Sequence, residues 1–244
     1  MKSMTKILAL AFILLSVPAQ AEQMDKWIES LENPRWEIFR LKDDNFKSKY
    51  NKFNFSTLLM PRNDFLGYIG PNFRRLKIKF TTVKKESSTQ DQYKVIGYSI
   101  VDNNKCDFEG VIKLIQIREY KQMHYGVDDE YKDRGVQSQG ILLGEYVFKE
   151  NAKQKFSGIF EGIMTLYWYV DKKGQIKYDD IESFSDNYKN NQYVGTWRQH
   201  KRENRRVANW GEYRIPFSED LDIGAGEFGV NPRYYKEGWQ DFEQ

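Results

Sequence analysis

The feature that most constrains this chain is an apolar, aromatic run at residues 157–171, which reads SGIFEGIMTLYWYVD. The run holds too many large apolar side chains for a loop, and it lacks the residues that usually cap a helix. Alternate residues of an extended chain point to opposite faces. One face holds Phe160, Gly162, Met164, Leu166 and Trp168, and the other holds Ile159, Glu161, Ile163, Thr165 and Tyr167. A glycine inside such a run weakens a strand but permits a sharp bend, so we predict a strongly curved β-strand.

The same pattern recurs along the chain. Four other apolar runs contain an internal glycine, at Gly97, Gly110, Gly144 and Gly195. From residue 74 to residue 217, runs with strand-like alternation follow one another through short polar links of hairpin length. This succession predicts an all-β fold, an antiparallel up-and-down barrel of about eight strands in which every strand edge is paired. The barrel domain is expected at residues 74–217.

A three-residue motif lies near the end of the predicted barrel, at Gly195-Thr196-Trp197. It is similar to the Gly-x-Trp sequence of calycin-type barrels, such as lipocalins and avidins. In lipocalins the motif marks the first strand of the barrel, whereas here it lies close to the last strand. The resemblance therefore implies a calycin-like or lipocalin-like architecture as an analogy, and it carries over no ligand-binding residue.

The N-terminus has the pattern of a secretory signal peptide. Lys2 and Lys6 precede an apolar stretch at residues 7–17, and the tripeptide AQA at residues 19–21 has the small-x-small form that signal peptidase cleaves. We predict a signal peptide at residues 1–21, with an uncleaved anchor as the alternative. The mature chain is then expected in the periplasm or outside the cell.

Two further segments flank the predicted barrel. Residues 22–73 begin with apolar side chains at helical spacing over residues 23–32 and continue as loop-rich sequence. We predict a short amphipathic helix that plugs or covers one end of the barrel. Residues 65–72 are expected either to fold over the barrel mouth or to form a tight connection. Residues 218–244 carry enough large apolar side chains to pack on the barrel as a C-terminal tail.

Charge and cysteine content argue against several classes of function. The formal net charge is +3, from 38 basic and 35 acidic residues of mixed distribution, which disfavours a general nucleic-acid-binding protein. Long charged stretches on both sides of the strands disfavour insertion into a membrane. Cys106 is the only cysteine, so the chain forms no internal disulfide and its core must stabilise the fold unaided.

No sequence motif predicts a catalytic residue, a metal ligand or a cofactor. The acidic residues around Gly224 and Gly226 lack the spacing of a calcium-binding loop, and turn hydrogen bonds account for them. The acidic group at residues 179–186 and the only two histidines, His124 and His200, match no metal-site spacing, and the chain has no nucleophile elbow. A hydrolase whose catalytic residues are distant in sequence stays open as the alternative to a non-enzymatic protein.

Aromatic residues make up 16% of the chain, enough for a large core or for an aromatic-lined cavity. We predict a non-enzymatic barrel that binds a small apolar, aromatic or sugar-like ligand in its mouth. The predicted contacts are Tyr68, Trp168, Trp197, Trp210 and Arg214. The alternative is a protein-interaction module of the cell envelope, an assembly factor or an inhibitor of a secreted enzyme, which binds through its long loops. The oligomeric state does not follow from the sequence.

Overall fold

A computed structural model describes residues 18–242, with side chains from residue 22 onward. Most of the predicted signal peptide, residues 1–17, lies outside the described residues, so export stays a prediction. The α-helices are α1 (Pro18–Glu32), α2 (Lys47–Tyr50) and α3 (Ser56–Leu59). Within the described part of the chain, no helix is long and apolar enough to cross a membrane.

The remaining regular structure is almost entirely β. The strands are β1 (Leu66–Ile69), β2 (Arg74–Lys85), β3 (Gln92–Val101), β4 (Asn104–Glu119), β5 (Ser138–Glu150), β6 (Gly158–Val170), β7 (Ile176–Tyr178), β8 (Asn190–Gln199) and β9 (Arg205–Glu212). Residues 18–242 also contain six 3₁₀ helices outside the strands, at Glu37–Phe39, Val127–Asp129, Lys132–Arg134, Glu219–Leu221, Pro232–Glu237 and Gln240–Phe242. Long β-strands joined by short links are what the alternating runs of the sequence predict.

The strands close into an antiparallel barrel, which confirms the predicted fold class. The sheet order is β5-β4-β3-β2-β1-β9-β8-β6-β7, and β5 also pairs with β6, which closes a ring of eight strands. Each strand of the ring pairs with its neighbours along the chain, so the topology is up-and-down. The strand β7 stands outside this ring and pairs only with the end of β6.

One member of the ring differs from the sequence-based expectation. The hairpin turn at residues 171–174 predicts a barrel strand at residues 175–181, whereas residues 65–72 are predicted to fold over the barrel mouth or to form a tight connection. Instead β1 closes the barrel, because Tyr68 pairs with Arg75 of β2 on one side and with Asn209 of β9 on the other. A strand of only four residues carries little alternation, and Gly67 within it together with Gly70 and Pro71 after it resembles a turn. Only the long-range pairing identifies it as a strand.

The barrel interior is filled by aromatic and aliphatic side chains. Phe160, Met164, Leu166 and Trp168 of β6 point inward and are each at most 1% exposed. The inward glycines Gly162 and Gly195 make room for the side chain of Tyr146. A Cβ on Gly195 would lie 2.4 Å from the hydroxyl of Tyr146. The glycines that the sequence places inside strands thus serve close packing as well as curvature.

One end of the barrel is covered by residues 46–60, which we call the plug segment. The segment contains α2 and α3, and its side chains Tyr50, Phe55, Leu58 and Leu59 join the same hydrophobic core as the strands. Tyr50 packs on Trp168 with ring centroids 4.5 Å apart. The covering function expected of the N-terminal helix therefore belongs to the chain that follows it.

The helix α1 lies on the outer wall of the barrel, where we had expected a plug or a cover for one end. Its Trp27 packs against Leu143, Ile163 and Val194, the outward residues of three adjacent strands. These positions lie in the middle of β5, β6 and β8, far from either opening. The amphipathic pattern predicted the helix correctly. Such a pattern shows which face of the helix is buried, but it does not show which surface of the protein that face packs against.

The C-terminal tail packs on another part of the outer wall. Trp239 is fully buried in a cluster with Tyr68, Leu221 and Tyr234. The indole nitrogen of Trp239 donates to the carbonyl of Phe73, 2.8 Å away. The tail thus covers β1, the shortest strand of the ring, and buries apolar area that a short strand cannot bury alone.

Candidate functional site

The end of the barrel opposite the plug segment is uncovered, and we call it the mouth. A cavity of about 690 Å³ lies there, among the first residues of β2, β4 and β6 and the last residues of β3, β5 and β8. Its volume is within the range of small-molecule sites, which is roughly 300–1,000 Å³. The inward face of the barrel forms the floor of this cavity through Phe160 and Ile69.

Trp197 is the central aromatic side chain of the mouth. It faces Phe160 across the β6–β8 pairing, with ring centroids 6.5 Å apart. Its indole nitrogen donates to Oε2 of Glu150 at 3.0 Å. One edge of the ring lies against the backbone of Gly158, where a Cβ would come within 2.6 Å of the indole. The ring orientation is therefore fixed before any ligand binds.

Glu150 is the last residue of β5, and it ends on the inward side of the barrel. It is 5% exposed, and a buried carboxylate needs hydrogen-bond donors. The amide of Gly158 donates to it at 2.6 Å, and the hydroxyl of Ser99 and the indole of Trp197 donate as well. All of these donors belong to the barrel strands. The alternation in β5 places Glu150 on the inward face together with Tyr146 and Phe148. This alternation is the sequence pattern that could have identified Glu150 as an inward residue.

The rim of the mouth combines polar groups with one exposed ring. Phe156, between β5 and β6, is 70% exposed and has a backbone φ of 55°. This left-handed conformation is unusual for a bulky residue, and such strain concentrates at functional sites. The guanidinium of Arg206 lies 6.0 Å from the centroid of the Trp197 ring. The other polar residues around the cavity are Asn72, Arg74, Ser99, Asp102, Asn104 and Gln199.

Of the predicted ligand contacts, the structure brings only Trp197 to this cavity. Trp168 and Trp210 are both fully buried in the barrel core. Trp210 stacks on Tyr193 with ring centroids 4.9 Å apart, and Trp168 lies under Tyr50 of the plug segment. These two tryptophans therefore pack the interior, which leaves them without a surface for a ligand.

Tyr68 and Arg214 lie outside the barrel interior. The hydroxyl of Tyr68 donates to the carbonyl of Phe217 at 2.9 Å and accepts from the side-chain amide of Asn209 at 3.0 Å. Arg214 forms a buried ion pair with Asp222 at 2.6 Å, and it donates to backbone carbonyls of the glycine-rich loop that follows. Both residues hold the C-terminal tail in place, and neither lines the mouth.

The acidic C-terminal loop is organised by hydrogen bonds within the protein. Oδ1 of Asp222 accepts from the amides of Gly224 and Gly229, each at 3.1 Å. Asp220 accepts from the hydroxyl of Tyr234 at 2.7 Å and pairs with Arg233. Across the residues that the structure describes, no group of three or more His, Cys, Asp or Glu side chains is arranged to hold a metal ion.

A second group of polar residues meets on the outer wall, at positions that no sequence motif connects. Nδ1 of His124 lies 3.1 Å from Oε1 of Glu182, although 58 residues separate them. Asp179 and the pair line the same cavity. The sequence shows the acidic group at residues 179–186 and His124 as separate features. Their proximity depends on how two loops fold against β6. Local spacing could not reveal it.

Comparisons with protein-family models, with curated proteins and with solved structures each found no match. The fold and the site therefore define the class to which this chain can be assigned. It is a closed antiparallel β-barrel with a filled interior, a plug segment at one end and a cavity at the other.

Proposed function

We propose that this protein is an exported, non-enzymatic binding protein whose mouth holds a small ligand with a flat apolar face, aromatic or sugar-like. The observation that carries the proposal is the cavity of about 690 Å³ at the uncovered end, with Trp197, Phe156 and Phe160 among polar groups. Apolar walls with a few placed polar groups are typical of small-molecule sites. The signal-peptide pattern of residues 1–21 supports export.

The chemistry of the mouth favours a flat ligand. Trp197 is held by Glu150 and Gly158, so its ring is a rigid surface on which an aromatic ring or a sugar face can stack. Hydrogen-bonding groups of such a ligand would find partners at Asn72, Asn104 and Gln199. Because the site is preformed, binding orders few protein side chains and costs little conformational entropy.

The direct test is native mass spectrometry of the mature protein, isolated gently from the compartment in which it accumulates. A small adduct that is lost on denaturation is the expected result. Its retention is then compared in the variants Phe156→Ala and Phe184→Ala. Both phenylalanines are exposed, at 70% and 82%, but only Phe156 lines the mouth. We expect about a tenfold weaker adduct for Phe156→Ala, and unchanged binding for Phe184→Ala.

Anilinonaphthalene sulfonate, a fluorescent aromatic anion, serves as a probe of the empty mouth. Its enhanced fluorescence should decrease in Phe156→Ala and stay unchanged in Phe184→Ala. If the two variants bind the probe and the adduct equally well, the mouth is not the binding site. A purified protein that carries no adduct and binds no aromatic probe would also contradict the proposal.

A protein-interaction module is the second candidate, and the distribution of exposed apolar side chains favours it. Trp36, Ile38, Met123, Val127 and Phe184 are all at least 40% exposed. Their segments adjoin one another, since Phe39 packs on His124 and His124 bonds Glu182. A protein partner at a fixed ratio in the same mass spectra, with no small adduct, would favour this function over ligand binding.

A further inference from the structure

A second cavity lies on the outer wall of the barrel, and we call it the side cleft. Its volume is about 600 Å³. The C-terminal half of α1, the segment at residues 34–41, the loop that holds His124 and the loop at residues 179–189 surround it, and Tyr167 of β6 forms part of its floor. The cleft shares no lining residue with the mouth, so it is independent of ligand binding there.

Asp179 provides a carboxylate to this cleft. The residue is 3% exposed, and its side chain accepts from the backbone amide of Ile181 at 3.1 Å. Its backbone carbonyl is occupied separately, by Tyr188 and by the side-chain amide of Asn190. Burial, with smaller contributions from the charges of Asp180 and Glu182, raises the pKa of Asp179 to about 7, although the hydrogen bond from the Ile181 amide acts in the opposite direction. A cation in the cleft would offset the cost of ionising this buried carboxyl group.

His124 provides an unused hydrogen-bond acceptor. Nδ1 lies 3.1 Å from Oε1 of Glu182, and Nε2 has no partner among the described residues. Because a carboxylate only accepts, the proton must lie on Nδ1, which leaves Nε2 with a free lone pair. Burial lowers the pKa of His124 despite the charge of Glu182, so the neutral ring is favoured. The imidazole is 8% exposed, and it lines the cleft.

The walls of the cleft are mainly aromatic, which favours a positively charged occupant. The rings that line it are those of Trp27, Trp36, Phe39, Tyr120, Tyr167 and Tyr188. The faces of such rings attract cations, with Trp the strongest. The ammonium of Lys189 already lies 5.2 Å from the centroid of the Trp27 ring. Trp36 is 60% exposed at the opening, and the guanidinium of Arg35 lies 5.1 Å from the centroid of its ring.

The charges that face Asp179 leave the side cleft with a negative excess. The loop at residues 179–189 contributes Glu182, Asp186 and Lys189, and the segment at residues 34–41 contributes Arg35. The other titratable groups that line the cleft are His124, Tyr120, Tyr167 and Tyr188. Burial, with a smaller contribution from Arg214, lowers the pKa of Lys189, and burial raises the pKa of the tyrosines Tyr120, Tyr167 and Tyr188. Three carboxylates against two cationic side chains therefore favour a cationic ligand when Asp179 is ionised.

We propose that the side cleft binds a small alkylammonium compound, with its cationic group paired with Asp179 against the aromatic walls and a hydroxyl or amine donor on Nε2 of His124. The carboxylate supplies the charge, the rings supply a cation–π surface, and the imidazole supplies a directional hydrogen bond. A neutral ligand of the same shape would pack against the aromatic rings but would form no ion pair with Asp179. The charge of the ligand should therefore decide whether it binds.

The proposal is tested by isothermal titration of the mature protein with choline, at constant ionic strength and at about pH 8. The comparison ligand is the neutral isostere of choline, in which a carbon atom replaces the ammonium nitrogen. We expect choline to bind at least about tenfold more tightly than the isostere. At about pH 5.5 Asp179 is mostly protonated, and choline binding should weaken about tenfold or more.

Two variants assign the effect to the cleft. Asp179→Asn keeps an acceptor for the amide of Ile181 but removes the charge, and it should lose both the preference for choline and the pH dependence. Asp128→Asn is the control, because Asp128 is an exposed carboxylate of the loop that follows His124 and does not line the cleft. Trp36→Ala removes an exposed ring, so it should weaken binding about tenfold without affecting folding. Circular dichroism checks that each variant is folded.

Three results would overturn the proposal. Equal affinity for choline and its isostere would make the cleft an apolar site. Equal weakening of choline binding by Asp179→Asn and Asp128→Asn would indicate only a general charge effect. The absence of both binding heat and a change of tryptophan fluorescence at about 10 mM choline, a concentration that fills a site of about 1 mM affinity, would exclude choline from the cleft.

Discussion

The two ends of this barrel are closed by different means. At the plugged end, residues 46–60 insert Phe55 and Leu59 into the core, and both side chains are fully buried. At the mouth, none of the segments that the structure describes enters the barrel, and the cavity is lined by side chains of the strands and the adjoining turns. The plug segment, which precedes the barrel strands, fills one end of the barrel, whereas the mouth retains a cavity.

The buried glutamates show the same difference. Glu119, at the plugged end, accepts from Lys42, Lys49 and Tyr50, all of which precede the barrel. Glu150, at the mouth, accepts from donors on the strands themselves. The plugged end therefore depends on the covering segment, while the mouth is stable without one. This is what a preformed binding site requires.

Removal of a large plug side chain should have the largest effect on stability. Phe55→Ala leaves a cavity in the core and should reduce the free energy of unfolding by about 3–5 kcal/mol. Phe156→Ala, at the mouth, should change it by less than about 0.5 kcal/mol, because the ring is 70% exposed. Urea denaturation followed by circular dichroism measures both. Equal losses would show that the two ends contribute equally to stability.

The glutamate of the plugged end should give a smaller, pH-dependent effect. Burial alone would raise the pKa of Glu119, but hydrogen bonds from Lys42, Lys49 and Tyr50 outweigh it and lower the pKa to about 2. Because this folded-state value lies below 4.5, its contribution is present above pH 4.5 and is lost as the pH falls towards 2. Glu119→Gln should cost about 1–2 kcal/mol near neutral pH, since both lysines are about half exposed.

The measurement compares urea denaturation of the wild type and Glu119→Gln at about pH 7 and about pH 3. The difference between them should shrink by more than half at the lower pH. Lys42→Met, which removes one cationic partner, is a matched variant and should show the same trend with a smaller amplitude. A difference that is constant with pH would mean that the carboxylate charge does not stabilise the plugged end.

A smaller effect than that of Glu119→Gln is expected for a hydrogen bond at the mouth. Trp197→Phe removes the indole donor to Glu150 but leaves the donors from Ser99 and Gly158. The loss should be about 0.5–1 kcal/mol, the net value of one hydrogen bond. Thermal unfolding measures it, and Trp197→Phe should still bind anilinonaphthalene sulfonate. A loss as large as that of Phe55→Ala would mean that the mouth, too, is essential for the fold.

Much of the barrel could be predicted from the sequence because its signal is local. The period-two alternation at residues 157–171 identifies the inward and outward faces of β6, and the structure has the same assignment for Phe160 to Trp168. The same local rule predicted most of the other strands. It failed for β1, a short strand whose pairing with β2 and β9 depends on distant sequence.

The candidate sites were much less predictable. Trp168, Trp210, Tyr68 and Arg214 are residue types that recur at binding sites. The two tryptophans are buried in the core, and Tyr68 and Arg214 bond to other groups of the protein. Of the predicted contacts, only Trp197 lines the mouth, since it lies near the end of its strand on the inward side. Residue type suggests what a side chain can bind, but its position along a barrel strand decides whether a ligand can reach it.

The sequence by itself determined the fold class, because the side-chain alternation of each strand is a property of neighbouring residues. Only the tertiary structure decided which strand closes the ring, which segment fills one end and which residues share a cavity. His124 and Glu182 meet across 58 residues, and no local pattern contains that contact. Cavities form where packing is incomplete, and the packing of a barrel depends on all of its strands together.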